Sequence, residues 1–313
     1  MPRRLKVASA QLGPIHLADE RSSVVARLME MMKEASGQGA RFVVFPELAL
    51  TTFFPRYWHD DSDWADRWFE RAMPNAETQP LFDLAAKLKV GFYLGYAELT
   101  EEAGVTHRYN TSILAGPDGE IIGKYRKVHL PGHAENRPHL PFQHLEKKYF
   151  EPGDLGFPVW RAFDSILGML ICNDRRWPEA YRVMGLQGVE LIALGFNTPS
   201  HNIYHPEPPH LRMFHHRLSV QAGAYQNASW VVATAKAGAE DGFHMFGGSS
   251  IVAPTGEIMA QALSEEDEVI VFDCDLDLCR HYKESTFAFE RHRRIEHYQR
   301  ITEQTGVTLP PTN

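Results

Sequence analysis

Three residues with complementary chemistry each lie at or beyond an apolar, strand-like run of the chain. Glu47 follows the run 43–46, Lys127 is one of three basic residues in four, and Cys172 ends the run 166–171. A carboxylate can accept a thiol proton and later activate water, an ammonium can stabilise an oxyanion, and a thiol can form a covalent acyl intermediate. The chain therefore contains the residue types that cysteine-dependent acyl transfer requires.

Each of the three residues also has a simpler interpretation. Glu47 could satisfy free N–H groups at the start of a helix, Lys127 could be a solvated residue at a hairpin end, and Cys172 could be a small apolar residue at the end of a buried strand. Their occurrence together, at comparable positions, favours catalysis.

The position of Cys172 predicts an activated thiol. It lies between an apolar run and the polar turn 173–176, just before a helix start at 177–179. Backbone N–H groups and the positive dipole end at the start of a helix favour a thiolate. We therefore expect Cys172 to be alkylated or oxidised more readily than Cys274 or Cys279.

Helices and strands alternate along the chain and predict an α/β fold with mixed sheets covered by helices. The expected helices are 22–36, 79–88 and about 211–226. The expected strands are 5–11, 41–46, 90–99, 111–115, 120–125, 166–172, 190–194, 230–235, 250–253 and 268–273. This number of strands would suit two sheets stacked face to face.

The remaining segments complete a prediction of one domain over residues 1–313, because no linker or repeat divides the chain. The stretch 129–156 is long, polar and rich in proline and histidine, which is typical of a functional loop. Residues after about 289 are charged and poor in apolar side chains, so we expect a surface tail or a subunit-contacting tail.

The composition argues against several partners. With 32 basic and 40 acidic residues the formal net charge is −8, which does not suit nucleic acid or an anionic membrane. No run approaches the length of a membrane span, and the residues after the basic start are too few and too polar for a signal peptide. Three cysteines are too sparse for a disulfide framework and predict a reducing, cytoplasmic location.

The motifs around these residues resemble the nitrilase superfamily of carbon-nitrogen hydrolases. The resemblance lies in Phe45-Pro46-Glu47, in Tyr125-Arg126-Lys127-Val128-His129-Leu130 and in Ile171-Cys172-Asn173-Asp174, in that order, and it extends from about residue 7 to 275. It implies a four-layer αββα sandwich and a catalytic triad of Glu47, Lys127 and Cys172. It also implies that no metal or cofactor takes part and that the chain assembles into a homodimer or homotetramer.

Within this superfamily the chain resembles the N-carbamoyl-D-amino acid amidohydrolases. The matching segments are 45–55, 142–147, 149–154, 171–179 and 197–199. The resemblance implies hydrolysis of an N-carbamoyl-D-amino acid, a small-molecule substrate, to the D-amino acid, carbon dioxide and ammonia. N-carbamoyl-β-alanine or a simple aliphatic amide are alternative substrates for the same three residues. Segments 134–140, 203–209 and 239–248 match less well and leave the preferred side chain open.

The carboxylate of such a substrate has an expected binding site beside the nucleophile. Two consecutive arginines, Arg175 and Arg176, offer the planar fork that recognises a carboxylate, although helix-flanking charge is the simpler interpretation. The resemblance implies that Asn173, Asn197 and Thr198 complete this pocket.

A second glutamate is implied by the resemblance near the lysine. Glu146 would help to hold the substrate nitrogen and to tune Lys127, although by itself it could form a surface ion pair with the adjacent lysines. His129 and His144 flank Lys127 and Glu146 in the sequence, so we predict that both histidines line the pocket and form hydrogen bonds there.

A zinc hydrolase is the rival interpretation, because histidines are numerous in this chain. They include His129, His144, His201, His205, His210, His215 and His216. The spacings do not support zinc: no HExxH or paired CxxC occurs, and adjacent histidines on a helix diverge. A catalytically silent binding scaffold is a third possibility, which the presence of Glu47, Lys127 and Cys172 argues against.

Overall fold

A computed structural model describes residues 3–140, 142–201 and 207–312 of the chain. Its strands are β1 (Arg4–Gln11), β2 (Phe42–Val44), β3 (Phe69–Glu70), β4 (Gly91–Glu102), β5 (Val105–Ala115), β6 (Ile121–Arg126), β7 (Val159–Ala162), β8 (Ser165–Ile171), β9 (Leu191–Phe196), β10 (Trp230–Ala235), β11 (Ala237–Glu240), β12 (Phe243–Phe246), β13 (Ser250–Val252), β14 (Ile258–Gln261) and β15 (Glu268–Asp275). Its helices are α1 (Arg21–Gly37), α2 (Ser62–Asp66), α3 (Gln79–Leu88), α4 (Glu146–Tyr149), α5 (Pro178–Leu186), α6 (Pro209–Asn227), α7 (Asp277–Glu284), α8 (Phe289–His292) and α9 (Gln299–Glu303). His205 and the segment 203–206 lie outside the described residues.

Two large mixed sheets are formed by these strands. The first has the order β15-β1-β2-β4-β5-β6, with β3 paired to β4, and the second has the order β14-β13-β10-β9-β8-β7. In each sheet the central strands run parallel: β1, β2 and β4 in the first and β8, β9 and β10 in the second. Parallel strands place their carboxyl ends at one edge of a sheet, which is where ligands bind in α/β proteins.

The two sheets pack face to face and share one core. Alternate residues of β1 show this, because Leu5 and Val7 join the core between the sheets while Ala8 and Ala10 join the core under α1 and α3. The same cluster of buried residues continues through the second sheet to residues of α5 and α6, which cover the outer face of that sheet. The layers are therefore helix, sheet, sheet and helix, which confirms the predicted four-layer αββα sandwich.

The observed elements agree closely with the expected ones in the buried centre and differ in the hairpins. Strand β5 begins at Val105 rather than at 111, because the two-residue turn Ala103-Gly104, with φ of 52° and 79°, joins it directly to β4. A turn with both central residues at positive φ matches the twist of a hairpin, and Ala103 is not a typical residue for it. The expectation for β5 was thus six residues too short at its start.

A second hairpin was not expected from the sequence. Strands β11 and β12 pair antiparallel around Asp241 and Gly242, which have φ of 50° and 84°. Asp-Gly is a strong hairpin signal, so the sequence did contain the information. The segment 239–248, interpreted as a loop, is therefore largely a hairpin.

The stretch 129–156 is mainly a loop, as expected, and within its described part the helical segment is the single turn α4. The expected tail also lies at the surface, with α8 and α9 containing no buried residue. Among the described residues, no helix is long and apolar enough to cross a membrane.

Candidate active site

Glu47 is positioned by the turn that follows β2, where the chain passes very close to two neighbouring strands. A Cβ atom on Gly95 would lie 2.7 Å from the carbonyl oxygen of Pro46, and one on Gly195 would lie 2.6 Å from the backbone nitrogen of Glu47. Only glycine fits at such a distance, so β4 and β9 hold this turn between them. The side chain of Glu47 is fully buried as a result.

Lys127 lies one residue beyond β6 and its ammonium joins two buried carboxylates. Nζ donates to Oε1 of Glu47 over 2.7 Å and to Oε2 of Glu146 over 2.5 Å, and all three side chains are fully buried. Burial alone would lower the pKa of Lys127, but Cys172, Glu146 and Glu47 together raise it above its ordinary value. The lysine is therefore a permanent cation.

Glu146 is the second partner of this lysine. Its other oxygen, Oε1, lies 2.9 Å from Nε2 of His144. Burial would raise the pKa of Glu146, but Lys127 and then His144 lower it, so the group is a carboxylate at neutral pH. The structure thus places Glu146 and His144 beside Lys127, as the sequence suggested.

Cys172 occupies a sharp turn between β8 and a short 3-10 turn, Cys172–Arg176, which precedes α5. Its φ of 48° is in the left-handed region, which is costly for a residue with a side chain and is typical of nucleophiles displayed on strand-to-helix turns. The thiol donates to the carbonyl oxygen of Asn197 over 3.4 Å. The backbone N–H of the same asparagine donates to Oε2 of Glu47 over 2.9 Å. Asn197 therefore links the thiol to the carboxylate.

The resting state of this thiol differs from the sequence expectation. Burial and the carboxylate of Glu47 raise the pKa of Cys172, and the opposing effects of Lys127 and Arg175 do not cancel this shift. The α-helix does not begin directly at the cysteine, so its dipole acts from a greater distance than expected. Cys172 is thus a neutral thiol at rest, and it needs a base to become a nucleophile.

We expect Cys172 nevertheless to react first with a limiting amount of an alkylating agent. Its exposed fraction is 3%, whereas Cys274 and Cys279 are 0% exposed. Burial also raises the pKa of Cys274 well above its ordinary value and that of Cys279 to about 12. Peptide mapping after partial labelling would show the order, and equal labelling of the three thiols would contradict it.

Arg175 is buried and its terminal nitrogens are already engaged. Nη1 donates to the carbonyl oxygen of Cys172 over 2.6 Å and lies 3.7 Å from its Sγ, and Nη2 donates to Oγ1 of Thr198 over 3.0 Å. The guanidinium also lies over the ring of Phe196, 4.6 Å from its centre. This arrangement differs from the expected fork of two free arginines, because Arg175 mainly holds the nucleophile turn against Thr198.

Arg176 differs from its neighbour, because its side chain is exposed. Nη1 donates to Oδ1 of Asn173 over 3.0 Å, and Nδ2 of Asn173 donates to the carbonyl oxygen of His129 over 3.1 Å. Protein atoms around the guanidinium of Arg176 remove part of its hydration, and this effect and then the charge of Arg175 lower its pKa. Arg176 still remains protonated at neutral pH. Arg176 is therefore the arginine of the pair whose side chain is open to solvent.

His129 is held by a buried aspartate that the sequence interpretation did not single out. Oδ1 of Asp174 accepts from the backbone N–H of His129 over 2.9 Å and lies 2.8 Å from its Nδ1. The imidazole stacks on Trp177, with ring centres 4.8 Å apart. His129, Asn173 and Trp177 line one recess of about 390 Å³ beside the nucleophile turn.

Two further residues were missed at the sequence level. Asn110, inside β5, donates from Nδ2 to Oε1 of Glu47 over 2.8 Å. Arg212, in α6, donates from Nε to the carbonyl oxygen of Pro199 and lies 3.6 Å from Glu207. A polar residue within an apolar strand was a usable signal for Asn110, whereas nothing local distinguishes Arg212.

Metal binding finds no geometric support among the described residues. Within 3–140, 142–201 and 207–312, no group of three or more His, Cys, Asp and Glu side chains is arranged to hold an ion. His215 and His216 follow the expectation that neighbours on a helix diverge, because His215 is exposed while His216 is buried against Phe196.

Comparison with known proteins agrees with this fold. The family model described as carbon-nitrogen hydrolase matches residues 6–284. A nitrilase from Pyrococcus abyssi is 32% identical over 95% of this chain and 100% of its own length, and an N-carbamoylputrescine amidase from Arabidopsis thaliana is 30% identical over 97% of each. The crystal structure of a carbon-nitrogen hydrolase from Helicobacter pylori G27 superposes with a TM-score of 0.80 at 23% identity, covering 96% of this chain and 99% of that one.

The fold and the buried cysteine site together define an enzyme that hydrolyses carbon-nitrogen bonds of amides. The chain belongs to the carbon-nitrogen hydrolase family, the nitrilase superfamily.

Proposed function

We propose that this enzyme hydrolyses N-carbamoyl-D-amino acids to the D-amino acid, carbon dioxide and ammonia. The observation that carries the proposal is the exposed guanidinium of Arg176, which is hydrogen-bonded to Asn173, the residue after Cys172. A carboxylate bound there would lie beside the nucleophile. An arginine recognises a carboxylate by two parallel hydrogen bonds, so this position suits a substrate with an acid group close to its scissile bond.

The first half of the reaction uses the thiol and the buried ion pair. Glu47 takes the proton of Cys172, and the sulfur attacks the carbonyl carbon of the ureido group. Lys127 and the backbone N–H of Asn173 stabilise the oxyanion that forms. The carbon–nitrogen bond to the terminal NH2 group then breaks, ammonia leaves with the proton that Glu47 held, and an S-acyl enzyme remains.

The second half of the reaction returns the enzyme to its resting state. Glu47 accepts a proton from water, whose oxygen attacks the S-acyl carbon, and the carbon–sulfur bond breaks. The thiolate of Cys172 recovers the proton, and the product is an N-carboxy amino acid. This carbamic acid decomposes to carbon dioxide and the free amino acid, so water is the only co-reactant.

Arg212 is a second cation for the substrate carboxylate. Its Nε is anchored on Pro199, which follows Thr198, and Thr198 accepts from Arg175. Burial lowers the pKa of Arg212, and the nearby Arg175 lowers it further. Glu207 opposes this shift. A bound anion would stabilise cationic side chains that lie this close together. This supports a substrate that binds here through a carboxylate rather than through an amine.

The two arginines also argue against hydrolysis of N-carbamoylputrescine, the substrate in the name of the Arabidopsis thaliana relative. N-carbamoylputrescine carries an amino group where a carbamoyl amino acid carries a carboxylate. Arg176 and Arg212 would repel that ammonium. A neutral amide needs neither arginine, so hydrolysis of an aliphatic amide is the alternative that the buried cysteine site equally allows.

The proposal is tested by measuring ammonia release from matched N-carbamoyl-D- and N-carbamoyl-L-amino acids, N-carbamoyl-β-alanine and a neutral aliphatic amide, with a chelator present. We expect turnover of the D-carbamoyl acids. For the variant Arg176→Ala we expect kcat/KM on these acids to fall by roughly 10- to 100-fold, the loss typical of a charged hydrogen bond, with hydrolysis of the neutral amide retained.

The outcomes separate the parts of the proposal. Turnover of the neutral amide alone would keep the cysteine mechanism and remove the assignment to carbamoyl acids. An equal loss on acids and amide in Arg176→Ala would assign Arg176 to the structure of the turn rather than to the carboxylate. Faster turnover of the L-acids would overturn the assignment of chirality.

We also propose that the enzyme works as a homodimer or homotetramer. Helices α5 and α6 expose large apolar side chains, which are Val183, Leu186, Phe214, Leu218 and Tyr225. Exposed apolar surface of this kind favours contact with a second copy of the chain.

A further inference from the structure

A second group of fully buried charges lies outside the residues assigned to the reaction. Arg56, Lys236 and Glu240 have exposed fractions of 5%, 0% and 0%. Oε1 of Glu240 accepts from Nη2 of Arg56 over 2.7 Å, and Oε2 accepts from Nζ of Lys236 over 2.9 Å. Burying three ionised groups is costly, and it stabilises a fold less well than apolar side chains of the same volume would.

This buried ionic cluster, formed by Arg56, Lys236 and Glu240, is tied to the loop that follows Glu47. Nζ of Lys236 donates to the carbonyl oxygen of Thr51 over 2.8 Å. The carboxylate of Glu240 accepts from the backbone N–H of Phe53 over 2.5 Å and from Oγ1 of Thr52 over 3.1 Å. The cluster therefore fixes three consecutive residues, beginning four positions after Glu47.

The cluster is also joined to the other side of Glu47 through Asn197. The backbone N–H of Lys236 donates to Oδ1 of Asn197 over 3.2 Å. Asn197 in turn donates from Nδ2 to the carbonyl oxygen of Glu47 over 2.7 Å and from its backbone N–H to Oε2 of Glu47 over 2.9 Å. Asn197 therefore holds both the backbone and the carboxylate of Glu47, and it is itself hydrogen-bonded to the backbone of Lys236.

The surroundings of Lys236 act on its pKa. Burial lowers the pKa of Lys236 below its ordinary value, and Glu240 and, less strongly, Glu47 oppose this shift without cancelling it. The other ionisable groups around Glu47 are Lys127, Glu146 and Cys172.

We propose that Arg56, Glu240 and Lys236 are positioning residues that hold the Glu47 carboxylate through Asn197 and the loop 51–53. The cluster does not touch the reacting atoms and acts only through Glu47. The inference rests on the proposed role of Glu47 as the base, and it is independent of which amide is hydrolysed.

The test is Lys236→Met, which removes the ammonium and keeps the backbone N–H that Asn197 accepts. We expect kcat to fall by about tenfold or more, since small displacements of a catalytic group have effects of this size, with little change in KM. A displaced base lowers kcat at nearly unchanged KM, whereas a general disturbance of the site changes both. Lys236→Arg, which keeps the charge, is expected to recover most of the loss.

A matched control separates positioning from general loss of stability. Glu70 is also buried and paired with an arginine, Arg21, and it contacts no residue of the active site among its described partners. Folded Glu70→Gln is expected to keep the kcat and the KM of the wild type. Equal losses of kcat in Glu70→Gln and Lys236→Met would overturn the proposal.

A second variant keeps the proposal testable if Lys236→Met does not fold. Glu240→Asp retains the charge but withdraws the carboxylate from Lys236, and we expect a several-fold lower kcat. A folded variant of either kind with the kcat of the wild type would refute the positioning role. All rates are measured on a substrate that the wild type hydrolyses, so a wrong substrate assignment leaves this test intact.

Discussion

Replacing Cys172 by alanine is expected to reduce kcat by at least about 10⁴-fold while binding of the substrate is retained. The thiol is the only group of the site that can form the S-acyl bond, and no neighbouring nucleophile is positioned to replace it among the described residues that contact Cys172. Water without a covalent intermediate would have to attack a poorly reactive ureido or amide carbon directly.

Ammonia release and isothermal titration with the same substrate measure the two halves of this prediction. Mass spectrometry of the acid-quenched wild-type enzyme should show an adduct on the peptide that contains Cys172. Cys279→Ala is the matched control, because that thiol is also buried and donates to the carbonyl oxygen of Glu190, away from Glu47 and Lys127. Ammonia release by Cys172→Ala at the rate of the wild type would exclude the covalent mechanism.

Replacing Lys127 by methionine is expected to lower both activity and stability. The ammonium is 2.7 Å from Glu47 and 2.5 Å from Glu146, so its loss leaves two buried carboxylates without their shared cation. We expect the free energy of unfolding to fall by about 3–5 kcal/mol at neutral pH, as for other broken buried pairs. Loss of an oxyanion donor should lower kcat by about 10²- to 10³-fold.

The loss of stability in Lys127→Met should depend on pH in a defined direction. In the wild type Lys127 lowers the pKa of Glu146, so the stability that this pair contributes is present above the ordinary pKa of a glutamate, about 4.3, and is lost as the pH falls below it. Without the lysine the same carboxylate gains from protonation. The difference in unfolding free energy between the two proteins should therefore shrink as the pH is lowered.

Lys124→Met is the control for this experiment. Its ammonium lies 2.5 Å from Glu98, but its side chain is 40% exposed, and it is three residues from Lys127. Glu98 is buried, but it also accepts from Nε of Arg126 over 2.8 Å, so loss of the half-exposed Lys124 leaves no carboxylate unpaired and should cost only about 1 kcal/mol. Chemical denaturation of the variants and ammonia release from the wild-type substrate measure both effects, and equal losses in the two variants would contradict the assigned role of Lys127.

The sequence predicted the parts of the structure that local patterns control. The run 166–172 read as a buried strand because both faces of its sheet are covered, and a strand of that kind is continuously apolar. The helix expected over about 211–226 is observed as α6, Pro209–Asn227. The β11–β12 hairpin was overlooked although Asp241-Gly242 signalled it, so that error lies in the interpretation and not in the chain.

Other features could not be read from local patterns. The pKa of Cys172 depends on burial and on Glu47, which is 125 positions earlier in the sequence, and these outweigh the dipole effect that the following residues suggested. Likewise, Arg175 and Arg176 are identical in type and adjacent in sequence. One is buried against Phe196 and Thr198 and the other is exposed, because a 3-10 turn directs consecutive side chains to different sides.

The sequence by itself determined an α/β fold with mixed sheets covered by helices, the candidate nucleophile and the residue types that could activate it, because strand periodicity and reactive side chains are properties of short segments. The four-layer αββα sandwich was implied by the resemblance to the nitrilase superfamily. Only the tertiary structure decided how these groups are arranged. It placed Lys127 between Glu47 and Glu146, put Asn197 between Glu47 and Cys172, and joined Lys236 to both sides of Glu47. Contacts between residues so distant in the chain depend on how the two sheets pack against each other. No local sequence pattern determines that packing.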